Sequence, residues 1–194
     1  MTDAYALSPA HAERKGDWIQ TFTGIQFWPL DPRPEEIDIR DIAHALSNQC
    51  RFCGHVNEFY SVAEHSVRCS FIVPQKDALW ALLHDASEAY LVDLPRPLKQ
   101  YSQLGRYYRE AESRVMRAVA LHFKLDAHYP EAVRQADNIM LVTEKRDLMK
   151  MPPKPWEDNG ARPLIETIRA PFKPEGAERA FLQRFNDVTK GFCE

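Results

Sequence analysis

A chain of 194 residues with 44% apolar content and a net charge of −3 is long enough to bury one core without disulfide staples, and a single domain over residues 1–194 is expected. The small negative charge speaks against a general nucleic-acid surface and leaves room only for a local basic pocket. No apolar run reaches membrane-spanning length, and Met1-Thr2-Asp3-Ala4-Tyr5 lacks the basic-then-apolar order of a signal peptide, so a cytoplasmic chain without a membrane partner is expected. Four cysteines are too few for a disulfide scaffold. Cys50 and Cys53 form a lone CxxC without a second pair at finger spacing, which points to ordinary thiols rather than a zinc knuckle.

Residues 1–17 are polar and aperiodic and are expected to drape over the surface or stay partly disordered. Ile19, Phe22, Ile25 and Phe27 alternate around Thr23-Gly24, the pattern of a short hairpin. The prolines at 29, 32 and 34 end it in a rigid connector. Ile39, Ile42, Ala43 and Leu46 then repeat at helical spacing behind Asp38, a suitable cap. Residues 48–60 read as a loop that gathers Arg51, Phe52, Cys53 and His55. Ser61, with Glu64 three residues on, predicts a capping box for a helix through His65 to about Val73.

After Pro74 the apolar stretch Leu79, Leu82, Leu83, Ala86 predicts a helix to about Tyr90 that carries His84 and Asp85 in its middle, with Glu88 on the same face. Longer amphipathic patterns occupy 104–123 and 130–149, and three prolines between 152 and 155 stop the second. A short strand is expected at 165–169 and a last helix at 175–188. The fold class is therefore all-α, with at most a short N-terminal hairpin.

A carboxylate and an imidazole inside an apolar run must find partners or lose their charge. Read alone, His84-Asp85 fits a hydrogen-bonded core site better than a divalent cation with Glu88 as a nearby proton-transfer group. Two further polar intrusions change that balance: His65 in the helix after Ser61, and Asp137 between Ala136 and Asn138-Ile139-Met140. Each would cost several kcal/mol if buried uncompensated, at roughly the size known for such groups. Placed around one ion, the four would satisfy one another.

The ordered set His65, His84-Asp85, Asp137 resembles the H…HD…D signature of the HD-domain metal-dependent phosphohydrolases. Ala63-Glu64-His65-Ser66-Val67, His84-Asp85-Ala86-Ser87-Glu88, Asp93-Leu94-Pro95 with Pro97 and Lys99, and Gln135-Ala136-Asp137 resemble the bacterial 5′-deoxynucleotidases of that superfamily. Phe27-Trp28-Pro29-Leu30-Asp31-Pro32 through Cys50-Arg51-Phe52 resembles HD hydrolases of phages and prophages, some of which convert dATP to deoxyadenosine and triphosphate. The resemblance covers about residues 22–150 and implies an HD-domain helical bundle.

It further implies His65, His84, Asp85 and Asp137 as ligands of a divalent cation, with Co²⁺, Mn²⁺, Zn²⁺, Fe²⁺, Ni²⁺ and Mg²⁺ all open. Glu88 takes the position of a group that orients or deprotonates the attacking water, and Asp93 that of a group protonating the leaving oxygen or contacting sugar. Arg51 matches a phosphate-binding arginine, and Phe52 stands where those relatives usually carry tryptophan. His55 and Lys99, with Arg96 and Arg106, are further candidates for phosphate contacts. The implied substrate is a small deoxynucleotide, a dNMP before a dNTP, with no stable nucleic-acid partner. Dimers or hexamers are common in the superfamily, so a homo-oligomer is expected. A catalytically idle nucleotide- or metal-binding HD module is the alternative from another class. A cyclic-nucleotide phosphodiesterase is disfavoured, because His44, His122 and His128 do not match its second-metal pattern.

Overall fold

The computed structural model describes residue 14, residues 16–156 and residues 160–190. The expectation for residues 1–17 therefore falls mostly outside the described residues, although Arg14 is placed, its guanidinium donating to Glu36 at 2.6 Å. The chain is a helical bundle preceded by a hairpin of two-residue strands. β1 (Ile19–Gln20) pairs antiparallel with β2 (Gln26–Phe27), Ile19 opposite Phe27. Gly24 supplies the positive φ of 89° that the turn requires. Asp41 tethers this turn to the first helix by accepting from Thr23 N at 2.7 Å and from Thr23 Oγ1 at 2.9 Å.

The helices are α1 (Ile39–Ser47), α2 (Val62–Ile72), α3 (Ala78–Leu83), α4 (Glu88–Leu91), α5 (Arg96–Tyr101), α6 (Gln103–His122), α7 (Glu131–Leu148) and α8 (Pro174–Thr189). Asp38 caps α1 by accepting from Arg40 N, and Ser61 caps α2 by accepting from Glu64 N at 3.1 Å. The reciprocal half of the expected capping box is absent. Glu64 is fully buried, and its two oxygens are spent on Arg68, at 2.6 Å, and on Phe172 N, at 2.7 Å.

α2 is the hub, packed against α1, α3, α7 and α8. Val62 through Val67 are buried without exception, so this stretch of α2 has no solvent stripe, and its polar residues are forced into internal partnerships. One apolar cluster on its flank joins Phe27, Ile42, Leu46, Leu82, Val115 and Phe181. Another joins Tyr60, Cys69, Ala81, Val133, Met140 and Leu148. His65 lies in the helix that both clusters share.

Two expectations are corrected. The helix through His84 to Tyr90 is broken: α3 stops at Leu83 and residues 84–87 form a turn before α4. Ala86 N bonds to Leu83 O and Glu88 N to Asp85 O, both with three-residue spacing. The cause is local. His84 Nδ1 lies 2.7 Å from Ala81 O, the carbonyl that an uninterrupted α-helix would offer to Asp85 N. His84 and Asp85 thus stand at a helix end, and Glu88, three residues after Asp85 in this tighter turn, lines the same cavity as Asp85. The strand expected at 165–169 is also absent, because among the described residues no second strand lies beside it. Side chains of α7 hold that segment instead: Thr143 Oγ1 accepts from Leu164 N, Asp147 accepts from Ile168 N, and Arg146 donates to Leu164 O.

Candidate functional site

The site forms where four segments meet. α1 ends at Asn48, and the chain turns back through residues 51–54, with Arg51 N bonded to Tyr60 O at 2.9 Å. Phe52 and Cys53 take left-handed φ values of 54° and 52° ahead of Gly54 at 80°. Two successive non-glycine residues in that region are strained, and the strain is held at the rim of a cavity. Here the guanidinium of Arg51 faces inward and the Phe52 ring lies 5.3 Å from it.

His65 projects from the second turn of α2, the turn after Leu83 supplies His84 and Asp85, and α7 supplies Asp137. His65 Nε2 lies 3.3 Å from His84 Nε2, 3.2 Å from Asp137 Oδ1 and 3.7 Å from Asp85 Oδ2. His84 Nε2 is 3.2 Å from Asp85 Oδ2. Both outer imidazole nitrogens are already committed. His84 Nδ1 donates to Ala81 O, and His65 Nδ1 donates to Glu144 Oε1 at 2.6 Å. Both Nε2 atoms are therefore aimed at one shared space.

Donors bonded to one ion at about 2.1 Å and right to tetrahedral angles sit roughly 3.0–3.4 Å apart, close to the separations found here. Two imidazoles and two carboxylates are also the donor chemistry that borderline divalent ions accept. The residues fit a metal. The buried group His65, Cys69 and His84, with donor atoms all within 4.8 Å of one another, could itself hold an ion.

Charge at this cluster is strongly coupled. Burial pushes the His84 pKa down, but the neighbouring Asp85 carboxylate outweighs it and the net shift is upward. His65 is likewise driven down by burial and by Arg51, yet Cys69, Glu144 and the Asp137 bond carry it well above its ordinary value. Burial would raise Asp85 and Asp137, but the imidazoles beside them hold both below the usual carboxylate range. Glu88 goes the other way, pushed well up by burial and by the charges of Asp85 and Asp93, and its Oε2 is buried without a hydrogen-bond partner. Burial also raises Asp93, with Asp85 adding to the effect against Arg51.

These shifts make stability depend on pH. Without an ion, folding raises both histidine pKa values above about 6.5, so their contribution is complete below that pH and is lost as pH climbs through the folded values. Glu88, also raised, works in the same direction above its ordinary 4.5. The depressed Asp85 and Asp137 contribute above about pH 4 and lose that contribution as pH falls. In chelator, the melting temperature should therefore drop as pH rises from about 6.5 into the alkaline range. A saturating divalent ion, which takes the place of the imidazole protons, should remove the drop. Scanning calorimetry across that range, with EDTA and with Mn²⁺, checks both halves.

An open cavity of about 1020 Å³ lies over the cluster, and Arg51, Phe52, His55, Asp85, Glu88, Asp93, Lys99 and Asp137 all line it. Lys99 is less free than expected, since its ammonium is paired with Glu112 and sits over the Tyr108 ring. Arg96 lines the cavity, whereas Arg106 is exposed, pairs with Glu110 at 3.5 Å and is not part of the wall. His44 and His122 face Glu178 and Pro34 O respectively, away from the cluster. A second, mainly apolar groove of about 870 Å³ near Trp80 and Phe123 touches none of the cluster residues.

Four contributors escaped the sequence. Glu144 is fully buried and bridges His65 and Arg51, its Oε2 3.1 Å from Arg51 Nη2. Its spacing of seven from Asp137 was the available signal, since it puts both on one face of α7. Cys69, one turn after His65, contacts His65 Nε2 at 3.5 Å. Gln49 ties α4 to the segment at Asp93, donating to Glu88 O at 2.9 Å and accepting from Asp93 N at 3.2 Å. Trp156 closes the cavity wall with its ring centroid 6.3 Å from that of Phe52.

No protein-family model matches the chain. It is 40% identical over 180 residues to the uncharacterized protein YfdR of Escherichia coli (strain K12), an alignment spanning 89% of this chain and 96% of that protein. The chain belongs to the YfdR family. This YfdR-family chain is also 37% identical over 131 residues to the uncharacterized protein RCAP_rcc00048 of Rhodobacter capsulatus, covering 63% of the chain and 66% of that protein. A 5′-deoxynucleotidase of Erwinia tasmaniensis is 33% identical over 122 residues, which span 58% of the chain and half of that enzyme. Among the described residues, no helix of this YfdR-family chain is long and apolar enough to cross a membrane.

Proposed function

We propose that this YfdR-family chain is an HD-type, metal-dependent nucleotide phosphohydrolase that cleaves the 5′-phosphate ester of 2′-deoxynucleotides, releasing deoxynucleoside and phosphate from a dNMP. The observation that carries the reading is the convergence of His65, His84, Asp85 and Asp137 within 3.7 Å contacts beside an inward-facing arginine. The resemblance to a 5′-deoxynucleotidase supports the same reaction class.

His65, His84, Asp85 and Asp137 would hold the ion. When bound, such an ion supplies Lewis acidity toward a phosphate oxygen and lowers the pKa of water. The chain's own groups perform the rest. Arg51, whose Nε and Nη2 are held by Glu144, lines the cavity and would offer its remaining Nη1 edge to the phosphate. Glu88, which lines the cavity beside Asp85 and whose basicity burial raises, would accept a proton from the attacking water more readily than an exposed glutamate. Asp93, also raised, retains a proton longer than an exposed aspartate and can pass it to the departing 5′ oxygen. Phe52 and Trp156 offer aromatic surface to sugar and base.

A dNTP reading has one observation in its favour: Arg96 and His55 line the same cavity as Arg51 and could meet further phosphates. Against it, Lys99 is engaged by Glu112 and Arg106 lies outside the wall. Incubation of the protein with Mn²⁺ or Co²⁺ and each dNMP and dNTP, with products resolved by chromatography, separates the readings. Phosphate from dNMPs is expected. Triphosphate from dNTPs alone would replace the first reading with the second, and no turnover with any ion would leave a non-catalytic nucleotide-binding module.

A further inference from the structure

We infer that Cys69 is a sulfur donor to the ion bound at this centre, and that it biases the centre toward thiophilic ions (Zn²⁺, Co²⁺, Fe²⁺) over Mg²⁺ and Mn²⁺. The inference rests on the metal-centre reading above and concerns a residue outside the two-histidine, two-aspartate set. Cys69 is fully buried one helical turn after His65, so both side chains leave α2 on the same face. Its Sγ lies 3.5 Å from His65 Nε2, the same atom approached by His84, Asp85 and Asp137. The sulfur and the two imidazole nitrogens lie within 4.8 Å of one another.

A second observation is independent of the cysteine. Both imidazoles have their Nδ1 atoms committed, to Glu144 and to Ala81 O, so two Nε2 atoms face each other at 3.3 Å. A cation between them resolves that arrangement, and from this position Sγ is a neighbouring donor. Donors bonded at about 2.1 Å (nitrogen) and 2.3 Å (sulfur) in tetrahedral geometry lie roughly 3.6 Å apart, close to the Sγ–Nε2 distance. On binding, the S–H bond breaks and its proton leaves to solvent as the sulfur–metal bond forms. No electrons are transferred. Nitrogen and carboxylate donors alone discriminate weakly among borderline ions, whereas a thiolate favours soft ones.

The test is cobalt titration of the full chain after chelator treatment. The expected result in the natural protein is a near-ultraviolet sulfur-to-cobalt charge-transfer band that grows with the visible d–d bands to one equivalent. The band should persist in a variant carrying Cys50→Ser, Cys53→Ser and Cys193→Ser. It should vanish in Cys69→Ser while the d–d bands remain. Competition between Zn²⁺ and Mn²⁺ should show the preference for Zn²⁺ falling by about tenfold or more in Cys69→Ser. Cys69→Ala, which adds no buried hydroxyl, supplies the same readouts if the serine variant melts early. Full d–d bands without a charge-transfer band in the natural protein would overturn the sulfur donor and leave the metal centre standing. An unchanged Zn²⁺ preference in both variants would do the same. Failure to bind cobalt at all would remove the centre itself.

Discussion

Replacing Asp85 with asparagine is expected to lower kcat/KM for deoxynucleotide hydrolysis by about 10³-fold, equivalent to about 4 kcal/mol of lost transition-state stabilisation. The amide keeps the volume of the side chain, so packing around the partly buried Asp85 position is preserved. What disappears is a negative charge 3.2 Å from His84 Nε2, 3.7 Å from His65 Nε2 and 3.6 Å from Arg51 Nη1. Asp85 therefore faces both imidazoles and the proposed phosphate-binding arginine, and no other carboxylate contacts His84 in that way among the described residues. Bound metal, measured by mass spectrometry after gel filtration, should fall with turnover, whereas the far-ultraviolet circular dichroism should not change. Turnover within a few-fold of the natural protein would sink the proposed mechanism.

The second large effect belongs to Glu144. Its carboxylate is fully buried, bridges His65 Nδ1 at 2.6 Å and Arg51 Nη2 at 3.1 Å, and is held below its ordinary pKa by those two groups in spite of burial. Neutralising one member of a buried ionic network leaves the other charge uncompensated. Glu144→Gln is therefore expected to cost about 3–5 kcal/mol of stability in urea unfolding at neutral pH. Because Glu144 also fixes which nitrogen of His65 faces the shared space, divalent-ion affinity should weaken by about 10–100-fold. A variant with native unfolding midpoint and native ion affinity would show that Glu144 is dispensable. Comparing Glu144→Gln with Arg51→Met separates the two roles. The second variant also breaks the ion pair and should destabilise, but it keeps the Glu144 contact to His65 and with it most of the ion affinity.

Periodicity, caps and turn glycines were legible in the sequence as local signals. The spacing of Ile39, Ile42 and Leu46 and the cap at Asp38 correspond to α1. The hairpin around Thr23-Gly24 forms because alternation and a positive-φ glycine are both local requirements. The His84-Asp85 pair stood out because two polar groups in an apolar run call for partners, and the tertiary structure brings His65 and Asp137 to them. The break of α3 at Leu83 was not legible. It depends on His84 capturing Ala81 O, a competition that helical periodicity does not register.

Other contributors acquire their partners only through tertiary packing. Glu144 reads as an ordinary charged position near the end of an amphipathic helix until α7 lies against α2 and meets Arg51 from the loop before it. Gln49 is unremarkable until residues 88 and 93 arrive beside it. Sequence by itself determined which residue types were available for ion chemistry and on which segments they lie, since periodicity and local polarity are encoded residue by residue. Only the tertiary structure decided which of them share a space. Contacts between α2, α7, the turn after α3 and the loop at Arg51 arise from burying the two apolar clusters around α2, and that packing is a property of the whole chain.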